Sequence, residues 1–115
     1  MKNIVLIPGD GIGQEITDSV TTILEKAGAD VNWIERSAGL KAYEETGNPM
    51  PDDTVEAIEE HRIALKGPLT TPVGSGFRSV NVALRQKFNL YSNIRPARTL
   101  PSIETPFRDV DMVLF

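Results

Sequence analysis

Four polar side chains in the second half of the sequence have the types and spacing of a binding site for a small anion. Ser79, Asn81 and Arg85 occur together in the segment "SVNVALRQ", and Arg95 follows in "SNIRPAR". An arginine guanidinium donates two parallel hydrogen bonds, which match the two oxygens of a carboxylate. A phosphate site more often uses a glycine-rich loop and a lysine. The residue types therefore favour a small polycarboxylate as the ligand.

A helix from Val80 to about Phe88 would bring these side chains together. Its apolar residues recur at every fourth position, which predicts one face packed against a core. Ser79 is then the N-cap, and Asn81 and Arg85, also four residues apart, share the neighbouring face beside the free N–H groups of the first turn. The alternative is that the arginines are solvated surface charges and that Ser79 only caps the helix. Spacing alone leaves both interpretations open.

The other segments alternate between strand-like and helix-like patterns, which predicts an α/β protein with a mixed or parallel sheet and flanking helices. Predicted strands cover residues 3–7, 30–37, 63–67 and 109–115, and predicted helices cover 14–27, 40–46 and 49–62. Along the third of these helices, Val55, Ile58 and Ile63 mark the side expected to face inward. The last strand, "DVDMVLF", is expected to be buried.

Composition restricts the class of protein. The chain has 115 residues and a formal net charge of −4, so nothing indicates binding to nucleic acid or to an anionic membrane. It has no cysteine, which excludes disulfides, thiolate catalysis and cysteine-ligated zinc. No signal sequence, membrane span, repeat or linker is apparent. We expect a cytoplasmic protein in which residues 1–115 form one segment without an internal boundary.

The glycines of "PGDGIG" do not form a dinucleotide fingerprint. Gly9, Gly11 and Gly13 depart from G-x-G-x-x-G because Gln14 stands where the third glycine would be needed. A tight turn from strand to helix is the favoured interpretation, and direct contact with a cofactor is the alternative.

Three motifs together resemble the isocitrate and isopropylmalate dehydrogenases, a family of metal-dependent decarboxylating dehydrogenases. They are "LIPGDGIGQEI", "LKGPLTTPVGSGFRSVNVALRQ" and "LYSNIRPAR", in the family's order and at similar distances. The resemblance implies the N-terminal part of that family's fold, which is not a Rossmann fold. It is greatest to isocitrate dehydrogenases, because Ser79 and Asn81 stand where isopropylmalate enzymes place apolar residues.

The resemblance also implies the site residues and the cofactors. Isocitrate would be bound by Ser79, Asn81, Arg85 and Arg95. The nicotinamide end of NAD or NADP would lie near Thr70, with Thr71 and Lys66 supporting that loop. Some bacterial isocitrate dehydrogenases are silenced by phosphorylation of the serine that matches Ser79.

Other parts of the family's active site are expected beyond Phe115. These include the catalytic tyrosine and lysine, the aspartates that hold Mg²⁺ or Mn²⁺, and the residues that distinguish NAD from NADP. The chain is therefore expected to hold no catalytic residue or metal ligand, to be inactive alone, and to belong to a homodimeric enzyme. The alternatives are an enzyme for isopropylmalate, homoisocitrate or tartrate, and a non-catalytic carboxylate-binding subunit.

Overall fold

The computed structural model describes residues 1–70 and 78–115, and its helices and strands confirm the predicted α/β alternation. The elements are β1 (Lys2–Ile7), α1 (Gly13–Lys26), β2 (Val31–Glu35), α2 (Leu40–Thr46), α3 (Asp52–His61), β3 (Ala64–Lys66), α4 (Val80–Lys87), β4 (Arg95–Arg98) and β5 (Asp111–Leu114). They fall into two compact units, Met1–Leu84 and Arg85–Phe115. The expectation that residues 1–115 form one segment of a longer protein stays a prediction.

A parallel three-stranded sheet forms the centre of the first unit. Its strand order is β2-β1-β3, so β1 has a hydrogen-bonded neighbour on each side. The apolar sequence of β1 fits this place, since Val5 and Ile7 are fully buried. Parallel pairing brings the carboxyl ends of β1 and β3 to the same edge of the sheet. The loops that follow these two strands are therefore neighbours.

Helix α3 contributes a small, tightly packed face to this core. Val55 is buried as predicted and Ile58 is half-buried, whereas Ile63 is 37% exposed. The prediction for Ile63 was wrong because α3 ends at His61, so the helical period no longer applies two residues later. Thr54 is fully buried instead, and its hydroxyl donates a hydrogen bond to the carbonyl oxygen of Ser37 at 2.7 Å.

The second unit is built on an antiparallel pair of short strands. β4 and β5 pair from Arg95 opposite Leu114 to Arg98 opposite Asp111. Thr99 closes the connection between them, since its N–H donates to the carbonyl oxygen of Val110 and its hydroxyl accepts from the N–H of Val110. The strand predicted at 109–115 is present, but all four residues of β5 are exposed rather than buried. A two-stranded sheet has no second layer to cover its apolar side chains.

Within the parts of the chain that the structure describes, no helix has the length and apolar composition required to cross a membrane.

Candidate functional site

Helix α4 begins where the sequence predicts. The carbonyl oxygen of Ser79 accepts a hydrogen bond from the N–H of Ala83 at 2.9 Å, which makes Ser79 the N-cap residue. Val80 and Leu84 are 2% and 9% exposed, so this face of the helix is buried. Burial of these two side chains fixes which way the remaining faces of α4 point.

Asn81, in the first turn of α4, has an unsatisfied polar atom. Its side-chain oxygen Oδ1 is buried and has no hydrogen-bond partner among the described residues. A buried acceptor without a partner destabilises a protein by about 1–3 kcal/mol, so such groups are rare unless a ligand or water completes them. The Oδ1 atom can accept a hydrogen bond from a hydroxyl, and a rotated amide would present its NH₂ group to a carboxylate. Asn81 is thus equipped to contact a polar ligand.

The two arginines of the candidate site are both exposed. Arg85 lies in the last turn of α4, four residues after Asn81 and therefore on the same face of that helix. Arg95 is the first residue of β4, where it pairs with Leu114. Ser79 and Asn81 belong to the first compact unit, and both arginines belong to the second. That all four side chains meet at one ligand stays a prediction.

The expected cofactor residues lie at the end of β3 and in the loop after it. Lys66 is the last residue of that strand, and its ammonium donates to the carbonyl oxygen of Gly67 at 2.7 Å. Thr70 has an exposed side chain, while its backbone N–H donates to Asp10 Oδ2 at 2.8 Å. Thr71 lies outside the described residues. Their contact with a cofactor stays a prediction.

The loops after β1 and β3 are in backbone contact, which explains the glycines of "PGDGIG". A Cβ atom at Gly9 would overlap the carbonyl oxygen of Pro68, and a Cβ at Gly13 would lie 2.6 Å from the carbonyl oxygen of Pro8. Gly9 and Gly11 also have positive φ angles of 91° and 56°. These glycines permit a tight strand-to-helix turn and a close approach of two loops. The predicted tight turn is confirmed, and direct contact of these glycines with a cofactor stays an untested alternative.

Sequence reasoning assigned no role to Asp10, whose carboxylate accepts three hydrogen bonds from described residues. It is 9% exposed, and its two oxygens accept hydrogen bonds from the backbone N–H groups of Leu40, Lys41 and Thr70 at 2.8–3.0 Å. An aspartate between two glycines in a strand-to-helix turn is the only sequence signal for such a residue. That signal does not reveal which distant segments it binds.

A metal site is not formed by the described residues. None of their histidine and carboxylate side chains occur in groups of three that would hold an ion. The buried carboxylate in this region, Asp10, already accepts three backbone N–H groups. The described residues therefore do not fit the Mg²⁺ or Mn²⁺ that the resemblance implies.

Comparison with known proteins identifies the family. Residues 3–115 match the family model described as isocitrate/isopropylmalate dehydrogenase. The chain is 45% identical to the NADP isocitrate dehydrogenase of Haloferax volcanii and 40% identical to mitochondrial NAD isocitrate dehydrogenase catalytic subunit 5 of Arabidopsis thaliana. These alignments cover 97% and 94% of this chain but only 28% and 29% of those proteins.

A solved structure agrees with the sequence matches. The crystal structure of isocitrate dehydrogenase from Methylococcus capsulatus is similar with a TM-score of 0.94 at 52% identity. The similarity covers 98% of this chain and 33% of that one. The family match, the sequence similarity and the shared fold all extend over nearly the whole chain, which therefore belongs to the isocitrate/isopropylmalate dehydrogenase family.

Proposed function

We propose that this chain is the N-terminal, substrate-binding part of an isocitrate dehydrogenase. The full-length protein would oxidise and decarboxylate isocitrate to 2-oxoglutarate with NAD or NADP. The observation that carries the proposal is the similarity, over nearly the whole chain, to proteins named isocitrate dehydrogenase with both nicotinamide cofactors. We expect a cytoplasmic homodimer.

The proposed work of this chain is to bind and orient the substrate. Arg85 and Arg95 each offer a planar fork of N–H donors, so two carboxylates of isocitrate would be held in fixed orientations. The positive charge of both guanidinium groups offsets the negative charge of a tricarboxylate. Orientation of the reacting carbon toward the cofactor is the contribution that binding residues make to the rate.

Ser79 and Asn81 would select isocitrate over isopropylmalate. Both are half-buried at the start of α4, and the Oδ1 atom of Asn81 has no partner among the described residues. An isopropyl group placed here would leave these polar groups without hydrogen bonds. Sites built from polar groups reject such analogues strongly because their own groups then remain unpaired.

Thr70, with Thr71 and Lys66, would hold the nicotinamide end of the cofactor. The exposed side chain of Thr70 is available for this contact. A bound nicotinamide supplies a hydride acceptor for the substrate's C2. The Mg²⁺ or Mn²⁺ ligands are proposed to lie elsewhere in the full-length protein, since the described residues do not group into a metal site.

The experiment is a turnover assay of the full-length protein with isocitrate or isopropylmalate, each with NAD⁺ and NADP⁺. We expect reduced cofactor with isocitrate and far slower reaction with isopropylmalate. Faster turnover of isopropylmalate would contradict the roles of Ser79 and Asn81, and no turnover of either would favour a non-catalytic subunit. The isolated 115-residue chain should form no NADH or NADPH.

An arginine variant tests the binding site. Arg95→Lys keeps the charge but loses the planar fork, so we expect the KM for isocitrate to rise about tenfold or more. Arg108→Lys is the matched control because Arg108 is also exposed in the second unit. Equal KM values for the two variants would contradict carboxylate binding by Arg95.

A further inference from the structure

The carboxylate of Asp10 joins two segments that are far apart in the sequence. Its Oδ2 atom accepts hydrogen bonds from the N–H groups of Leu40 at 2.9 Å and Thr70 at 2.8 Å. Its Oδ1 atom accepts a third from Lys41 at 3.0 Å. The turn after β1 is thereby tied to the first residues of α2 and to the loop after β3.

Main-chain contacts fix Asp10 against the loop after β3. Its own N–H donates to the carbonyl oxygen of Pro68 at 2.9 Å, two residues before Thr70. Gly67, at the start of this loop, donates its N–H to the carbonyl oxygen of Ile7 at 2.7 Å. Asp10 therefore contacts the 67–70 segment through both its backbone and its side chain. Both hydrogen bonds are made with backbone atoms of that segment, so they position its main chain.

Gly39 shows how closely α2 approaches the carboxylate. A Cβ atom at position 39 would overlap Asp10 Oδ2, and the φ angle of Gly39 is +80°. A residue with a side chain would move the start of α2 away from Asp10. A short carboxylate suits this position because both of its oxygens are acceptors. The N–H groups of Leu40 and Lys41 reach it from the start of α2, and that of Thr70 reaches it from the loop after β3.

We propose that Asp10 is a positioning residue for the cofactor end of the active site. This inference rests on the proposed function, in which Thr70 lies beside the nicotinamide. Since the Thr70 N–H is bound by Asp10, the carboxylate sets where the exposed Thr70 side chain stands. The three hydrogen bonds come from Leu40, Lys41 and Thr70, none of which belongs to α4, so the larger effect of Asp10 is expected on cofactor binding.

Asn is the informative substitution at this position. Asp10→Asn keeps the shape of the side chain but replaces one acceptor oxygen with an NH₂ donor. Whichever way the amide is turned, at least one of the three backbone N–H groups faces another donor. The matched control is Asp18→Asn, because Asp18 is exposed on α1 and its carboxylate accepts a hydrogen bond from the exposed side chain of Gln14 rather than from the backbone of a distant segment.

The test is steady-state kinetics of the full-length protein with isocitrate and NAD(P)⁺. For Asp10→Asn we expect the KM for the cofactor to rise about tenfold or more. The Kd for isocitrate without cofactor should stay within about twofold of the wild-type value, and Asp18→Asn should change neither. A purely structural defect would instead lower the amount of active protein and would not raise the KM for the cofactor while leaving the Kd for isocitrate unchanged.

The outcomes separate the two proposals. A wild-type protein that does not oxidise isocitrate contradicts the proposed function. An active wild type with an unchanged cofactor KM in Asp10→Asn contradicts the positioning role. If Asp10→Asn does not fold, amide hydrogen exchange of the wild type decides: a Thr70 amide that exchanges as fast as an unstructured peptide overturns the inference, and a protected one supports it.

Discussion

Gly67 packs directly against the carbonyl oxygen of Pro8, so closely that a Cβ atom at position 67 would overlap that oxygen. Moving the loops after β1 and β3 apart to relieve this overlap would strain the hydrogen bond from the Gly67 N–H to the Ile7 carbonyl oxygen. We therefore expect Gly67→Ala to lower the free energy of unfolding by about 3 kcal/mol. Urea denaturation of the 115-residue chain, followed by circular dichroism, measures this change.

Gly47→Ala is the control for the Gly67 prediction. Gly47 caps α2 with a φ angle of +75°, but a Cβ atom there would meet nothing within 4 Å. Its substitution should cost only the backbone strain of a left-handed alanine, about 1 kcal/mol. A cost for Gly67→Ala no greater than that for Gly47→Ala would show that the two loops are not in close contact.

The hydrogen bond of the buried Thr54 side chain gives a second stability prediction. Thr54→Val keeps the shape of the side chain but removes the hydroxyl that donates to the carbonyl oxygen of Ser37. The unfolding free energy should fall by about 1–3 kcal/mol, because that carbonyl loses its partner in a partly buried place. Thr22→Val, at an exposed position of α1, should change stability by less than about 0.5 kcal/mol. Equal effects would contradict the burial of Thr54.

Local patterns were sufficient to predict most of the secondary structure. Helix α2 begins and ends where the sequence predicted, because Gly47 provides a left-handed stop. The buried face of α1 was harder to predict. Its apolar repeat includes Ile16 and Ile23, which are 44% and 65% exposed, whereas Thr17 is buried and donates to the carbonyl oxygen of Pro8. Packing against the neighbouring turn favours a small residue there over a larger apolar one.

The candidate site was only partly predictable for a related reason. Ser79, Asn81 and Arg85 are close in sequence, so helical spacing was enough to place Asn81 and Arg85 on one face of α4. Asp10 binds N–H groups that are 30, 31 and 60 residues away. Such contacts depend on the parallel pairing of β1 and β3 and on the geometry of the turns. Neither can be predicted from the spacing of residues in the sequence.

A charge at Ser79 should weaken substrate binding without unfolding α4. Aspartate is as good an N-cap as serine, so Ser79→Asp keeps the start of the helix. Its carboxylate would repel a carboxylate of isocitrate, as a phosphate on this serine would. We expect the Kd for isocitrate in the full-length protein to rise about tenfold or more, measured by calorimetry. This result would support regulation by phosphorylation at Ser79.

Ser79→Asn isolates the effect of the charge. Asparagine caps helices as well as aspartate does but is neutral, so the difference between the two variants reports electrostatic repulsion. The asparagine variant should bind isocitrate more tightly than the aspartate variant. Normal affinity in Ser79→Asp would remove both the phosphorylation hypothesis and the contact between Ser79 and the substrate.

The exposure of β5 allows a test of whether this chain is part of a longer enzyme. Val113 is 50% exposed in the second unit, and the chain spans only 28% of the length of the Haloferax volcanii relative. In the 115-residue chain, Val113→Thr should change the free energy of unfolding by less than about 0.5 kcal/mol. The same substitution at the fully buried Val5 should cost about 2 kcal/mol or more, because it buries a hydroxyl in an apolar core.

In a full-length enzyme we expect Val113→Thr and Val5→Thr both to destabilise the protein. Residues outside this chain would cover the side of β5 that carries Val113, and Val113→Thr would then lower the thermal midpoint of unfolding as Val5→Thr does. The comparison uses the same two substitutions in both lengths of protein, so Val5→Thr serves as the internal standard. A Val113→Thr variant that leaves the midpoint of the longer protein unchanged would show that β5 stays exposed there, contrary to the proposal.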